Sequence, residues 1–193
     1  MITKQIKVGP MENFSYLVAC EKTHKGCVID PAWEVEKILK TAQKNNIEII
    51  YIINTHRHHD HTNGNQEIIK KSHGKLIAHK ACSPHIFPRP DIEVTDQDVL
   101  ELGEIYLKIL HTPGHSAGSI SILAKKNLFT GDTLFMDAVG RTDLASGDPY
   151  QLKESLKIIK QLPDDIIIYP GHHYGEDTSN TLKRVKEINF FLR

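Results

Sequence analysis

The sequence predicts an α/β (α+β) protein built from two similar β-rich halves, with the sheets packed together and helices outside. Two observations carry this expectation. The first is an apolar run, residues 47–53, that stops at Asn54 and delivers Thr55-His56-Arg57-His58-His59-Asp60-His61 into one loop. The second is a weak internal repeat: hairpin, aspartate, helix, strand and histidine-bearing loop occur once up to His61 and again, in the same order, up to Gly171-His172-His173. The length, 193 residues, suits one domain spanning 1–193 with a substantial core.

Each element follows from local pattern. Alternation at 14–18 and an apolar run at 27–29 flank the turn-like 22–26, which reads as a hairpin stopped by Pro31. Val35, Ile38, Leu39 and Ala42 recur at helical spacing up to Asn45-Asn46. Residues 47–53 form a buried strand, 66–71 a short helix after Gly64, 75–78 a short strand, and the proline-rich 84–90 a loop. Ile105, Leu107, Ile109 and His111 alternate with polar or outward residues into Thr112-Pro113-Gly114, and strands follow at 119–123 and 127–130. A helix at 152–162, a strand at 166–169 and a closing helix at 178–192 complete the chain, with Phe190 and Phe191 at its end.

Composition excludes several classes. Twenty-four Lys and Arg balance 24 Asp and Glu, so no field selects nucleic acid or a membrane surface. No apolar run approaches membrane-spanning length, and Met1-Ile2-Thr3-Lys4-Gln5 is no signal peptide. Cys20, Cys27 and Cys82 lack metal or redox spacing and read as small buried thiols, in keeping with a cytoplasmic protein.

The chemistry lies in the histidine loop. In an extended segment, side chains at i, i+2 and i+4 share a side, so His56, His58 and Asp60 are expected together and His61 apart. Neutral imidazoles suit zinc, iron and related ions, and carboxylates add charge compensation. Four ligands so close in sequence crowd one ion, whereas two ions can divide them. The remaining ligands must come from other strand ends: His111 or His115, Asp132, and His172 or His173.

With Thr55-His56-Arg57-His58-His59-Asp60-His61, Thr112-Pro113-Gly114-His115, Gly131-Asp132-Thr133 and Pro170-Gly171-His172, the chain resembles the metallo-β-lactamase superfamily over nearly its whole length. The resemblance implies a four-layer αββα sandwich, which agrees with the repeat. It implies that His56, His58 and His115 hold one metal, that Asp60, His61 and His172 hold a second, and that Asp132 bridges them. It places His111 on the inward face of its strand as a packed histidine. His59, His73, His79 and His85 are solvated or packed, and His173 lies near the pocket. Two divalent ions, zinc first with iron or manganese also compatible, would lower the pKa of a shared water from about 15.7 towards about 7. Asp60 would orient the resulting nucleophile.

Gly131-Asp132-Thr133-Leu134-Phe135, Gly140-Arg141-Thr142-Asp143 and His61-Thr62-Asn63-Gly64-Asn65 are similar to glyoxalase II and its compact relatives. This implies hydrolysis of a small-molecule thioester, S-acylglutathione or similar, with Arg141 and Tyr174 at the thiol-linked group. The chain departs from that pattern at Thr142-Asp143, where an aromatic is expected, and it ends about twenty residues after His172. The Gly-Arg-Thr-Asp segment also resembles persulfide dioxygenases, which hold one iron through two histidines and an aspartate, here His58 or His56, His115 and Asp132. A β-lactamase, a nuclease branch and a non-catalytic metal-stabilised module fit the same motifs less well. Oligomeric state is not legible.

Overall fold

The computed structural model describes residues 1–193. One sheet runs in the order β1 (Ile2–Val8), β2 (Asn13–Ala19), β3 (Lys25–Ile29), β4 (Glu48–Ile53), β5 (Lys75–His79) and β6 (Ile92–Val94). The other runs from β7 (Val99–Leu102) through β8 (Ile105–His111), β9 (Ile120–Ala124), β10 (Asn127–Gly131) and β11 (Ile167–Pro170) to β12 (Asn180–Thr181). The repeat read from sequence is physical. Antiparallel β2–β3 passes through helix α1 (Val35–Lys44) to β4, parallel to β3. Antiparallel β9–β10 passes through α4 (Pro149–Lys160) to β11, parallel to β10.

Three apolar clusters make this a four-layer αββα sandwich. Leu17, Val28, Ile52 and Leu76 meet Val35, Ile38 and Ala42 of α1 and Ile68 of α3 (Asn65–Ser72) outside the first sheet. Their sequence neighbours Val18, Cys27, Ile53 and Ile77 point the other way, against Leu107, Ile109, Ile122 and Phe129 of the second sheet. Leu128 and Ile168 then face Leu152, Leu156 and Ile159 of α4 and Leu182 and Val185 of α5 (Leu182–Ile188). The period-2 geometry of a strand thus serves two cores at once, so β2 is buried at every position and its sequence lacks a polar face. The three cysteines are free and buried, as expected. No helix is long and apolar enough to cross a membrane.

Several elements differ from the expectation. The N-terminal β1 and the edge strands β6, β7 and β12 were not anticipated, because short edge strands carry little alternation. Helix α4 begins three residues early, at Pro149, because Asp148 accepts from the backbone N–H of Tyr150 and Gln151 and Pro149 needs no such bond. The closing helix is broken. Asn180-Thr181 pairs with β11, Thr181 caps α5, and Asn189 ends it, leaving residues 190–192 as a separate 3₁₀ turn.

Gly114 locks the loop after β8 onto α4. Its φ is +132°, and a Cβ there would lie 2.3 Å from the Leu152 backbone. Gly114→Ala is therefore expected to cost about 2–5 kcal/mol through strain and overpacking, read as a lowered denaturation midpoint. An unchanged midpoint would contradict this close approach.

Candidate metal centre

Four chain segments reach one rim of the sandwich from strand ends. Residues 54–61 follow β4, 112–115 follow β8, Asp132 follows β10, and 171–174 follow β11. Strand ends at one edge are where αβ folds assemble sites, because rigid sheets fix the starting point of each loop.

The donor atoms of His56, His58 and His115 lie within 4.8 Å of one another, as do those of Asp60, His61 and His172. His115 Nε2 is 2.8 Å from His58 Nδ1, and His61 Nε2 is 3.1 Å from His172 Nε2. Asp132 lies between the groups. Its Oδ1 is 3.3 Å from His61 Nε2, and its Oδ2 is 3.3 Å from His172 Nε2 and 3.6 Å from His115 Nε2. Asp60 does not share a side with His56 and His58, as strict alternation expects. Extended backbone stops at His58 (φ −67°, ψ 145°), and the one-turn helix α2 (His59–Thr62) turns Asp60 towards His61 instead.

Outer hydrogen bonds fix which nitrogen faces inward. His61 Nδ1 donates to Asp30 Oδ2 (3.0 Å), His115 Nδ1 to the Arg141 carbonyl (2.8 Å) and His172 Nδ1 to the Met11 carbonyl (2.8 Å). Thr55 Oγ1 spends its proton on Asp30 Oδ2 (2.6 Å), so at His56 Nδ1, 3.0 Å away, it accepts. His56 Nε2 is thereby left as a lone pair. Buried, it has no hydrogen-bond partner, and neither does Asp132 Oδ1. Orphaned polar atoms in a dry site cost about 1–3 kcal/mol each unless something satisfies them. A cation among five imidazoles and two carboxylates would do so, and this donor set suits zinc, iron or manganese.

Electrostatics follow the two groups. Burial pushes His56 well below the ordinary histidine range and His58 down to about 4, so both are neutral ligand-ready rings. Burial opposes charge on His61 and His172 too, but carboxylates outweigh it. Asp132 and Asp30 raise His61 well above its usual value, and Asp132 with Asp60 raises His172 to about 9. Burial alone would raise Asp132 and Asp60, yet the facing imidazoles hold both well below the carboxylate range.

A third group, Asp30, His56 and His61, is buried completely. Asp30 is saturated there, accepting from Thr55 N (2.7 Å), Thr55 Oγ1 and His61 Nδ1. It supports the rings from behind. Asp30 occupies the place in the first half that follows β3 as Asp132 follows β10, and its φ is +51°, in the left-handed region. The repeat named Asp30 but gave it no role. Sequence reading also missed Asn13, whose Nδ2 donates to Asp60 Oδ2 (2.9 Å), and Arg57, whose guanidinium donates to the Ala145 carbonyl (2.6 Å).

The cluster opens into a cavity of about 300 Å³ whose wall includes Met11, Phe135, Val139, Arg141 and Tyr174. Tyr174 stacks on His172 (4.8 Å between centroids, 8° between planes), and burial raises its pKa so that the phenol stays a donor. Arg141 is exposed, with its guanidinium donating twice to the Asp143 carboxylate, at 2.7 and 2.6 Å. His111 stacks on His79 at 4.0 Å and donates to the Ala117 carbonyl, away from the centre. His173 faces Glu12 and Phe14, not the cavity. His59 and His85 are exposed.

Comparison with known proteins shows the family. The model of the metallo-beta-lactamase superfamily matches residues 8–172. A hydroxyacylglutathione hydrolase of Pelagibacter ubique is 38% identical, over 87% of this chain and 70% of its own length. The crystal structure of ETHE1 from Myxococcus xanthus aligns with a TM-score of 0.92 at 29% identity, covering 98% of this chain and 84% of that one. TTHA1623, solved in a di-iron-bound form, aligns with a TM-score of 0.83 at 29% identity, covering 98% of this chain and 100% of that one.

The support from behind has a measurable consequence. Asp30→Asn keeps the shape but removes the charge holding His61, and metal affinity is expected to fall roughly 10–100-fold. Competition with a fluorescent chelator reads this, and an unchanged affinity would remove Asp30 from the account.

Proposed function

The chain belongs to the metallo-β-lactamase superfamily, and on that premise we propose that this metal-dependent hydrolase cleaves a small-molecule thioester in the manner of glyoxalase II. The observation that carries the reading is the filled donor set: two three-residue groups, with Asp132 reaching both. In this reading His56, His58 and His115 hold one divalent ion and Asp60, His61 and His172 the other, with Asp132 between. Zinc is the first candidate, and iron or manganese fits the same donors. The di-iron form of TTHA1623 and the names of the hydroxyacylglutathione hydrolases support a paired-metal thioesterase. A mononuclear iron oxidoreductase holding its ion through two histidines and an aspartate would use only part of this donor set.

Bound there, two ions supply a nucleophilic water at neutral pH and polarise the thioester carbonyl. The chain's own groups do the rest. Asp60 stays ionised, is fixed by Asn13, and in this reading orients the attacking water. The Tyr174 phenol, kept protonated, offers a hydrogen bond to the substrate from the cavity wall. Arg141 borders the same cavity.

Protein loaded with zinc, manganese or iron is expected to hydrolyse S-lactoylglutathione, followed at the thioester absorbance. Asp132→Ala should lose nearly all turnover with its metal, while exposed His59→Ala stays within about twofold. Near-wild-type turnover in Asp132→Ala would sink the bridging role, and no turnover with any ion would sink the thioesterase reading.

Proton release gives an independent check. Against burial, the facing carboxylates raise His172 to about 9 and His61 well above its usual value, so in the metal-free protein both rings carry charge at pH 7. Ligation requires neutral rings, so loading at pH 7 is expected to release about two protons, fewer above pH 9, with affinity weakening as pH falls. Absence of release in weakly buffered dye would contradict these ligand roles.

A further inference from the structure

Beside the metal cavity lies a larger one, about 540 Å³, between residues 139–142, helix α4 and the C-terminal 3₁₀ turn. Val139, Gly140 and Arg141 line both cavities, so the larger adjoins the metal cavity across this segment. Its walls are largely apolar: Leu152 and Leu156 on α4, Pro149, and Phe190 and Phe191 from the 3₁₀ turn. The two phenylalanines meet edge to face at 5.8 Å yet remain 74% and 54% exposed. Two adjacent aromatics left in water next to a reaction centre form a binding wall rather than scattered surface apolarity.

The charge at the threshold is paired. The cation at the threshold, Arg141, is held by both oxygens of Asp143. An anionic tail must displace that carboxylate to reach the guanidinium, so the threshold is close to neutral. Lys153, exposed on α4, borders the outer rim.

We propose that the preferred substrate carries an apolar chain that lies in this trough against Phe190 and Phe191, with Asp143 shielding Arg141 from anionic tails. The proposal rests on the thioesterase reading and names the substrate class for it. Full burial of a methylene contributes about 0.8 kcal/mol, close to fourfold, and a trough open on one side recovers roughly half of that energy. Each added pair of methylenes should therefore raise kcat/KM about fourfold.

The test uses metal-loaded full-length protein and two series. One comprises acetyl, butyryl, hexanoyl and octanoyl thioesters of N-acetylcysteamine, and the other acetyl thioesters of alkanethiols of growing length. A rise in one series identifies whether the chain sits on the acyl or the thiol side. Phe190→Ala/Phe191→Ala, at exposed positions that little else packs upon, should lower the octanoyl-to-acetyl or long-to-short ratio at least tenfold. Asp143→Asn should raise the ratio of S-lactoylglutathione to acetyl-N-acetylcysteamine turnover by up to about fivefold, the reach of a surface ion pair. Calorimetric binding of S-hexyl- and S-octyl-N-acetylcysteamine, which needs no turnover, should tighten with length and lose that dependence in the double variant.

Flat responses in both series, alongside measurable turnover of the short thioesters, overturn the trough while leaving the thioesterase reading intact. If no thioester is hydrolysed, that reading fails, and length-independent calorimetric binding then overturns the trough as well. A dimer in sedimentation that the double variant dissolves, with flat chain dependence, would assign this face to a second copy and overturn the proposal.

Discussion

Five imidazoles and two carboxylates crowd one largely buried rim. Left alone, such an arrangement is unfavourable: like groups repel, and unpartnered polar atoms lose solvation. The protein holds it together by giving four of the five rings a partner behind them. Asp30, the Arg141 and Met11 carbonyls and Thr55 each engage the outward nitrogen, so the inward ones cannot rotate away. Among the atoms of the donor set, His56 Nε2 and Asp132 Oδ1 have no hydrogen-bond partner, and a cation would satisfy both. The conformational frustration of the rim is thus a consequence of metal binding being built into the fold.

The sandwich exists to hold this rim. Strands buried on both faces are rigid, and each half delivers an aspartate after its hairpin: Asp30 from the first and Asp132 from the second. His61 lies between them, with Nδ1 on Asp30 and Nε2 near Asp132. One imidazole therefore ties the two halves together across the sheet boundary. Gly171 permits that closeness, since a Cβ there would stand 2.2 Å from Asp132 Oδ1.

Much of this was legible because it is written in short, local signals. The histidine loop, the repeat and the apolar runs of β4 and β9 announce themselves through residue type and spacing. What escaped depends on contacts distant in sequence. Asp30 gains meaning only when β3 and β4 lie parallel and bring it to Thr55 and His61. Choosing His115 over His111 needed a family motif, because the two differ in which way a turn points after β8. The closing helix failed for a local reason: the Thr181 cap competes with a helical pattern that continues on both sides of it. Arg141 and Asp143 could be named from sequence, but not their pairing, which neutralises the cation expected to bind an anion.

The central claim is that two ions divide the donors into the outer groups, with Asp132 between and Asp30 behind. Anomalous diffraction at the zinc edge from crystals of the zinc-loaded protein tests it most directly. The account expects two peaks about 3.5–4 Å apart, one among His56, His58 and His115 and one among Asp60, His61 and His172. A single peak, or a peak held by Asp30, His56 and His61, would contradict it.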